Sequence, residues 1–162
     1  MRTFLLTVAL LISTVAFAQV PSVTVENAKG EAFDTKEILS EGVPTIVSFW
    51  STVCKPCMRE LDAIYDALPD WMEEADFRVV AVSIDDSRLL AKAKSLAEGR
   101  GWGEDFILLF DKNQDFKRAM NVSDVPHVFV LDSKGKVVYS HTSYVPGNEV
   151  ELFEAIKKVC GK

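Results

Sequence analysis

The sequence predicts an α/β domain, a central mixed β-sheet flanked by helices. Three observations carry this. Nearly continuous apolar runs recur along the chain and read as buried strands, Thr45–Trp50 and the stretch from Phe77 to Ile84 chief among them. Between the runs lie segments with helical spacing of apolar residues. Near the end, two β-type runs flank a turn-rich pentapeptide, which adds an antiparallel hairpin to a parallel sheet with crossover helices. A chain of 162 residues can bury a core without covalent staples.

The elements follow in order. Val23 to Val25 reads as a short strand, Asn27 to Gly30 as a turn, and Thr35 to Ser40 as one or two helical turns ended by Gly42. Thr45–Trp50 reads as the central strand and runs straight into Cys54-Lys55-Pro56-Cys57. Leu61, Ile64, Tyr65 and Leu68 then share one face of a helix that Pro69 is expected to end or kink. A second buried strand spans Phe77 to Ile84, and a helix from Leu89 to Ala97 is expected to be capped by Asp86 or Ser87. Phe106 to Phe110 is a strand and Asp115 to Met120 a short helix. Val128–Leu131 and Val137–Tyr139 form the hairpin around Asp132-Ser133-Lys134-Gly135-Lys136. Glu149 to Val159 closes the chain as a helix with Leu152, Phe153 and Ile156 inward, giving from Thr45–Trp50 onward the order β-α-β-α-β-α-β-β-α.

Composition narrows the function. The residues are 48% hydrophobic and 26% charged, as in soluble globular proteins, and the net charge of −6 argues against a nucleic-acid binder, which carries a basic patch or stripe. The first 18 residues read as a signal peptide: Arg2 is the positive start, Phe4 to Ile12 the apolar run, and Ala16-Phe17-Ala18 the small-x-small cleavage pattern. Cleavage after Ala18 leaves residues 19–162 as one domain; an uncut membrane anchor is the alternative, but the apolar stretch is short for a bilayer span. The expected location is exported and periplasmic.

Export gives the three cysteines, Cys54, Cys57 and Cys160, their meaning. Disulfides persist in oxidising compartments, but a framework needs more cysteines than this. A bond between Cys54 and Cys57 closes too small a loop to stabilise a fold and suits one that is made and broken. A strand feeding a Cys-x-x-Cys at the start of a helix places the first cysteine where unpaired backbone N–H groups and the helix dipole favour a thiolate. Lys55 adds positive charge, and Pro56 suits the first helical turn. Cys54 is then the attacking nucleophile, and Cys57, one turn further in, resolves the mixed disulfide. The competing reading, half of a zinc site, lacks ligands: beyond these two cysteines only Cys160, His127 and His141 remain, with no second Cys-x-x-Cys.

The segment Val47-Ser48-Phe49-Trp50 … Cys54-Lys55-Pro56-Cys57, with Val125-Pro126 before a later strand, resembles the thioredoxin superfamily, and more closely its TlpA/ResA-like exported branch, over nearly all of the chain after residue 18. The run Val79 to Asp85 is similar to that branch's second core strand. A βα insertion, roughly Asp86 to Phe110, lengthens the domain beyond a minimal thioredoxin, and Glu60 stands three residues after the second cysteine, where the branch carries a glutamate. The resemblance implies a thioredoxin-like fold and a thiol–disulfide oxidoreductase working in the direction of protein disulfide reduction, with no cofactor beyond the Cys54–Cys57 couple. It also implies that Pro126 is cis, packed against the cysteines, and that the peptide before it docks substrate as a short strand, making Val125 and Pro126 substrate-binding residues. Departures occur at Ser48, where thioredoxins proper carry a buried aspartate, at Val53, where an aromatic residue is common, and at Leu61-Asp62, where a proline is expected.

The remaining candidates have two readings each. Glu60 can accept the Cys57 proton, or be a solvated helix residue paired with a nearby base. Trp50 borders the site on the substrate side or fills core. His127 is a ligand or acid–base group, or, by strand alternation from Pro126, faces away from the cysteines. His141 is expected to be exposed and Cys160 an inert helix residue. The expected partners are a cysteine-containing client and a membrane or exported electron donor, with the chain a monomer. Two other functions compete. A thiol peroxidase requires a Pro-x-x-x-Thr-x-x-Cys arrangement, and Val47 and Ser51 stand at its proline and threonine positions. A copper(I) chaperone would use Cys54, Cys57 and His127 as ligands.

Overall fold

A computed structural model describes residues 19–162. The segment expected to be a signal peptide, residues 1–18, falls outside these residues. Seven strands form one mixed sheet: β1 (Thr24–Asn27), β2 (Ala32–Asp34), β3 (Thr45–Trp50), β4 (Arg78–Ser83), β5 (Ile107–Phe110), β6 (His127–Leu131) and β7 (Val137–Thr142), in the spatial order β2-β1-β5-β4-β3-β6-β7. The helices are α1 (Lys55–Glu74), α2 (Leu90–Gly99), α3 (Asp115–Ala119) and α4 (Asn148–Val159). No helix among the described residues is long and apolar enough to cross a membrane.

Strand β3 lies inside the sheet, parallel to β4 and antiparallel to β6, and all six of its residues are buried. Its alternation divides the core. Ile46 and Trp50 point to the side of α1, α2 and α4, with Leu61, Ile64, Ala93, Leu152 and Ile156. Val47 and Phe49 point to the other side, with Ile38, Phe116, Val122 and Phe129. On the first side Trp71 of α1 stacks on Phe153 of α4 with ring centroids 4.8 Å apart, fixing the two helices over the sheet.

Four details of the sequence reading are corrected. A strand follows the turn after Asn27: β2 pairs antiparallel with β1, so the chain begins with a hairpin. Pro69 does not end α1, which continues to Glu74. Neither Asp86 nor Ser87 caps α2; Asp86 instead accepts the Arg88 N–H, and α2 starts at Leu90 without a side-chain cap. The hairpin is also longer, with β6 starting at His127 and β7 reaching Thr142. Its turn is built as expected. Asp132 accepts the N–H groups of Lys134 and Lys136, and Gly135 sits at φ +80° against Leu39, where a Cβ would collide.

Candidate active site

The site forms where β3 and β4 end side by side, at the carboxyl edge of the parallel strands. The chain leaves β3 at Trp50 and reaches Cys54 through Ser51-Thr52-Val53. Asp85, just past β4, fixes this loop: its carboxylate accepts the Thr52 N–H at 2.8 Å and the Thr52 hydroxyl at 3.2 Å, and is itself held by the Ser83 hydroxyl at 3.0 Å. All three are buried. Neither Thr52 nor Asp85 was singled out from the sequence as a site residue; the polar residues just past the ends of two buried strands are the available signal.

Cys54 is the N-cap of α1. Its Sγ accepts the Cys57 N–H at 3.2 Å, and Pro56 occupies the first turn. Cys54 and Cys57 are joined in a disulfide. The two sulfurs differ in access, because Cys54 is half-buried and Cys57 fully buried. An incoming group can therefore reach Cys54 and not Cys57. The N–H that Cys54 accepts, together with the helix N-terminus, favours negative charge on its sulfur once the bond is opened.

Val125-Pro126 is cis and faces this pair. The Val125 carbonyl oxygen lies 3.6 Å from Cys54 Sγ, and the Pro126 carbonyl accepts the Ser143 N–H at 2.9 Å, which ties the turn to the end of β7. Val53, beside Cys54, is 74% exposed and gives the rim an apolar surface.

Glu60 is fully buried, on the same face of α1 as Cys57 three residues earlier. Its partner is His141: Oε1 and Nε2 are 2.5 Å apart. Oε2 has no hydrogen-bond partner among the described residues. Burial pushes the Glu60 carboxyl above its usual range, the His141 contact opposes that, and Glu149 adds to it. The reading of Glu60 as a solvated residue is thus corrected, and so is that of His141 as exposed. His141 alternates inward with Tyr139, opposite Val128, so its ring lies under α1.

Trp50 is core: it is 1% exposed and meets Trp102 edge-on at 5.2 Å, so its indole is not on the docking surface. His127 packs at 4.4 Å from Phe129, on the face opposite Cys57, and its Nδ1 is 2.8 Å from the Thr142 hydroxyl. It points away from the cysteines and does not complete a ligand set with them. Cys160 is a free thiol just past α4, far along α1 from the disulfide, beside the Asp76 carbonyl. Burial pushes its pKa up, which makes it a poor nucleophile. Ser48, in place of the superfamily's buried aspartate, is buried with no partner for its hydroxyl among the described residues.

The family model described as Redoxin matches residues 16–156. A thioredoxin-like protein of Porphyromonas gingivalis, known from its solution structure, is 45% identical, with 90% of this chain and 94% of that one covered and a TM-score of 0.78. A thiol:disulfide interchange protein of the thioredoxin family from Chlorobium tepidum shares the fold at 20% identity, covering 92% and 100% of the two chains, with a TM-score of 0.69. Thiol-disulfide oxidoreductase ResA of Bacillus thuringiensis is 27% identical over 120 residues, which is 74% of this chain and 65% of that protein. The chain thus matches just under two thirds of the length of that relative.

Proposed function

The chain belongs to the Redoxin family, and from that premise we propose that it is an exported thiol–disulfide oxidoreductase that reduces disulfides in protein clients. The observation that carries this is the Cys54–Cys57 disulfide at the N-terminus of α1, with one sulfur accessible and one buried. In the reduced protein the Cys54 thiolate attacks a client disulfide and forms a mixed disulfide, releasing one client thiol. Cys57 then attacks Cys54 Sγ, the chain's disulfide closes, and the second client thiol leaves. The client gains two electrons and the chain loses two; a donor of the dithiol class restores it. Glu60 takes the proton of Cys57, and the client backbone docks along Val125 and Pro126 beside Cys54. The leader-like first 18 residues and the likeness to ResA support an extracytoplasmic setting.

Mechanism-based trapping tests the roles. A Cys57→Ser variant is expected to accumulate mixed disulfides with client proteins on Cys54, visible on non-reducing gels and released by dithiothreitol. Cys54→Ser is expected to trap nothing; equal trapping by both variants removes the assignment.

A further inference from the structure

The buried carboxylate of Glu60 is connected to the surface by a continuous line of hydrogen-bonding groups. Glu60 Oε1 meets His141 Nε2 at 2.5 Å, His141 Nδ1 lies 3.3 Å from the Tyr139 hydroxyl, and Tyr139 donates to Glu151 Oε2 at 2.9 Å. Glu60 has no exposed surface and Glu151 is exposed. The outer bond fixes the tautomer. Tyr139 has a single proton and gives it to Glu151, so its oxygen accepts from Nδ1–H of His141. One proton then sits in the Nε2···Oε1 contact, as N–H⁺···O⁻ or as N···H–O. The other carboxylate oxygen, Oε2, is left without a partner among the described residues, on the face of α1 that carries Cys57.

We infer that His141 is a positioning residue for disulfide exchange: acting through Glu60, it keeps that carboxylate able to accept the Cys57 proton and passes a proton outward through Tyr139 to Glu151. The inference rests on the redox reading of Cys54 and Cys57. When Cys57 resolves a mixed disulfide, its sulfur bonds to Cys54 Sγ, the bond between Cys54 and the client breaks, and the electron pair leaves on the client sulfur. The Cys57 proton moves to Glu60 Oε2. His141 offsets this by giving its Nδ1 proton to Tyr139 as Tyr139 gives its own to Glu151. Re-reduction runs the transfer backward.

The surroundings fit this path. Burial, and then Glu151, pushes the Tyr139 phenol up to about 12, so it relays as a neutral hydroxyl. On α4 Glu149 faces Glu60, and the Tyr144 phenol feels the same carboxylate, as well as Arg59 of α1. On the other face of the sheet, burial first and His141 second push the His127 pKa down. Of the groups facing Glu60, His141 is the one in hydrogen-bond contact with its carboxylate.

The test uses the reduced protein in a Cys160→Ser background, mixed with the aromatic disulfide 5,5′-dithiobis(2-nitrobenzoate). Attack by Cys54 releases one coloured thiolate and resolution by Cys57 the second. In His141→Gln the first release is expected to stay within about twofold, while the second slows about tenfold or more at pH 7 and rises steeply with pH. Glu60→Gln is expected to behave alike, and the double variant to be no slower than Glu60→Gln alone. Tyr139→Phe, which keeps the ring packing, is expected to slow the second release by a smaller factor; it also serves if circular dichroism shows His141→Gln unfolded. A second release with unchanged rate and pH profile in His141→Gln, or in Tyr139→Phe where that is the folded variant, overturns the inference while leaving the redox reading intact. Absence of a second release from the unsubstituted chain overturns both.

Discussion

A carboxylate without exposed surface costs free energy in its charged form unless that charge is compensated. Among the described residues Glu60 has one compensating hydrogen-bond partner, His141, and one oxygen without a partner. Its folded pKa is raised above the reference value of 4.5. The folded state therefore binds a proton more tightly than the unfolded state does. The stability this contributes is fully present below about pH 4.5 and is lost as pH rises through the folded pKa. Glu60→Gln removes the titration and keeps the shape. It is expected to raise the thermal midpoint at pH 7 to 8, with the gain shrinking toward pH 4.5. Melts across that range check it, and a constant difference at all pH values refutes it. The same substitution is expected to slow Cys57, so stability and activity move in opposite directions at this residue.

At the scale of elements, α1 carries the site at its first turn and a proline well inside it. Pro69 removes the N–H that the Tyr65 carbonyl would accept, and its ring crowds that carbonyl. The helix nevertheless runs on to Glu74, because Leu68 and Trp71 are buried against the core and hold the last turns in place. Tertiary packing overrides the local preference here. Pro69 is exposed, so Pro69→Ala is expected to stabilise the protein by about 1–3 kcal/mol, read as a higher urea midpoint with unchanged slope; a lower midpoint would mean that the local bend is required. The same competition explains what was legible in the sequence. Strand β3, α1 and the cysteine pair were readable because apolar period and motif agree along them. Strand β2 was not, because Ala32-Phe33-Asp34 is too short to show a period and forms by pairing with β1. The end of β7 was missed because Ser140-His141-Thr142 reads as polar loop; only its pairing with β6 turns His141 inward toward Glu60. Half of the Glu60–His141 pair was thus readable from its place after the cysteines, while the other half depends on a contact across 81 residues of chain.

At the scale of the whole molecule, oxidation state and folding are linked, since the Cys54–Cys57 bond exists in one redox form only. The disulfide closes a loop too short to stabilise the fold much through chain entropy. Any difference in stability between the oxidised and reduced protein must then come from how the folded site treats the two thiols, and that difference is what separates its reduction potential from that of an unstrained dithiol. A fold that favours the Cys54 thiolate strongly enough stabilises the reduced form and becomes an oxidant, as DsbA does; a reductase has the opposite balance. In this chain the helix N-terminus and the Cys57 N–H favour a Cys54 thiolate, while the apolar burial of Cys57 and the Glu60 carboxylate on the same helix face oppose a second negative charge. The reductase reading therefore requires the oxidised chain to melt at a higher temperature than the reduced chain. Each 1.4 kcal/mol of that difference corresponds to about 30 mV for the two-electron couple. Paired thermal melts of the oxidised and dithiothreitol-reduced Cys160→Ser protein, set against the potential measured in glutathione buffers, check both the sign and the size. A reduced form that melts higher, with a potential close to that of an oxidant, would reverse the proposed direction while keeping the couple.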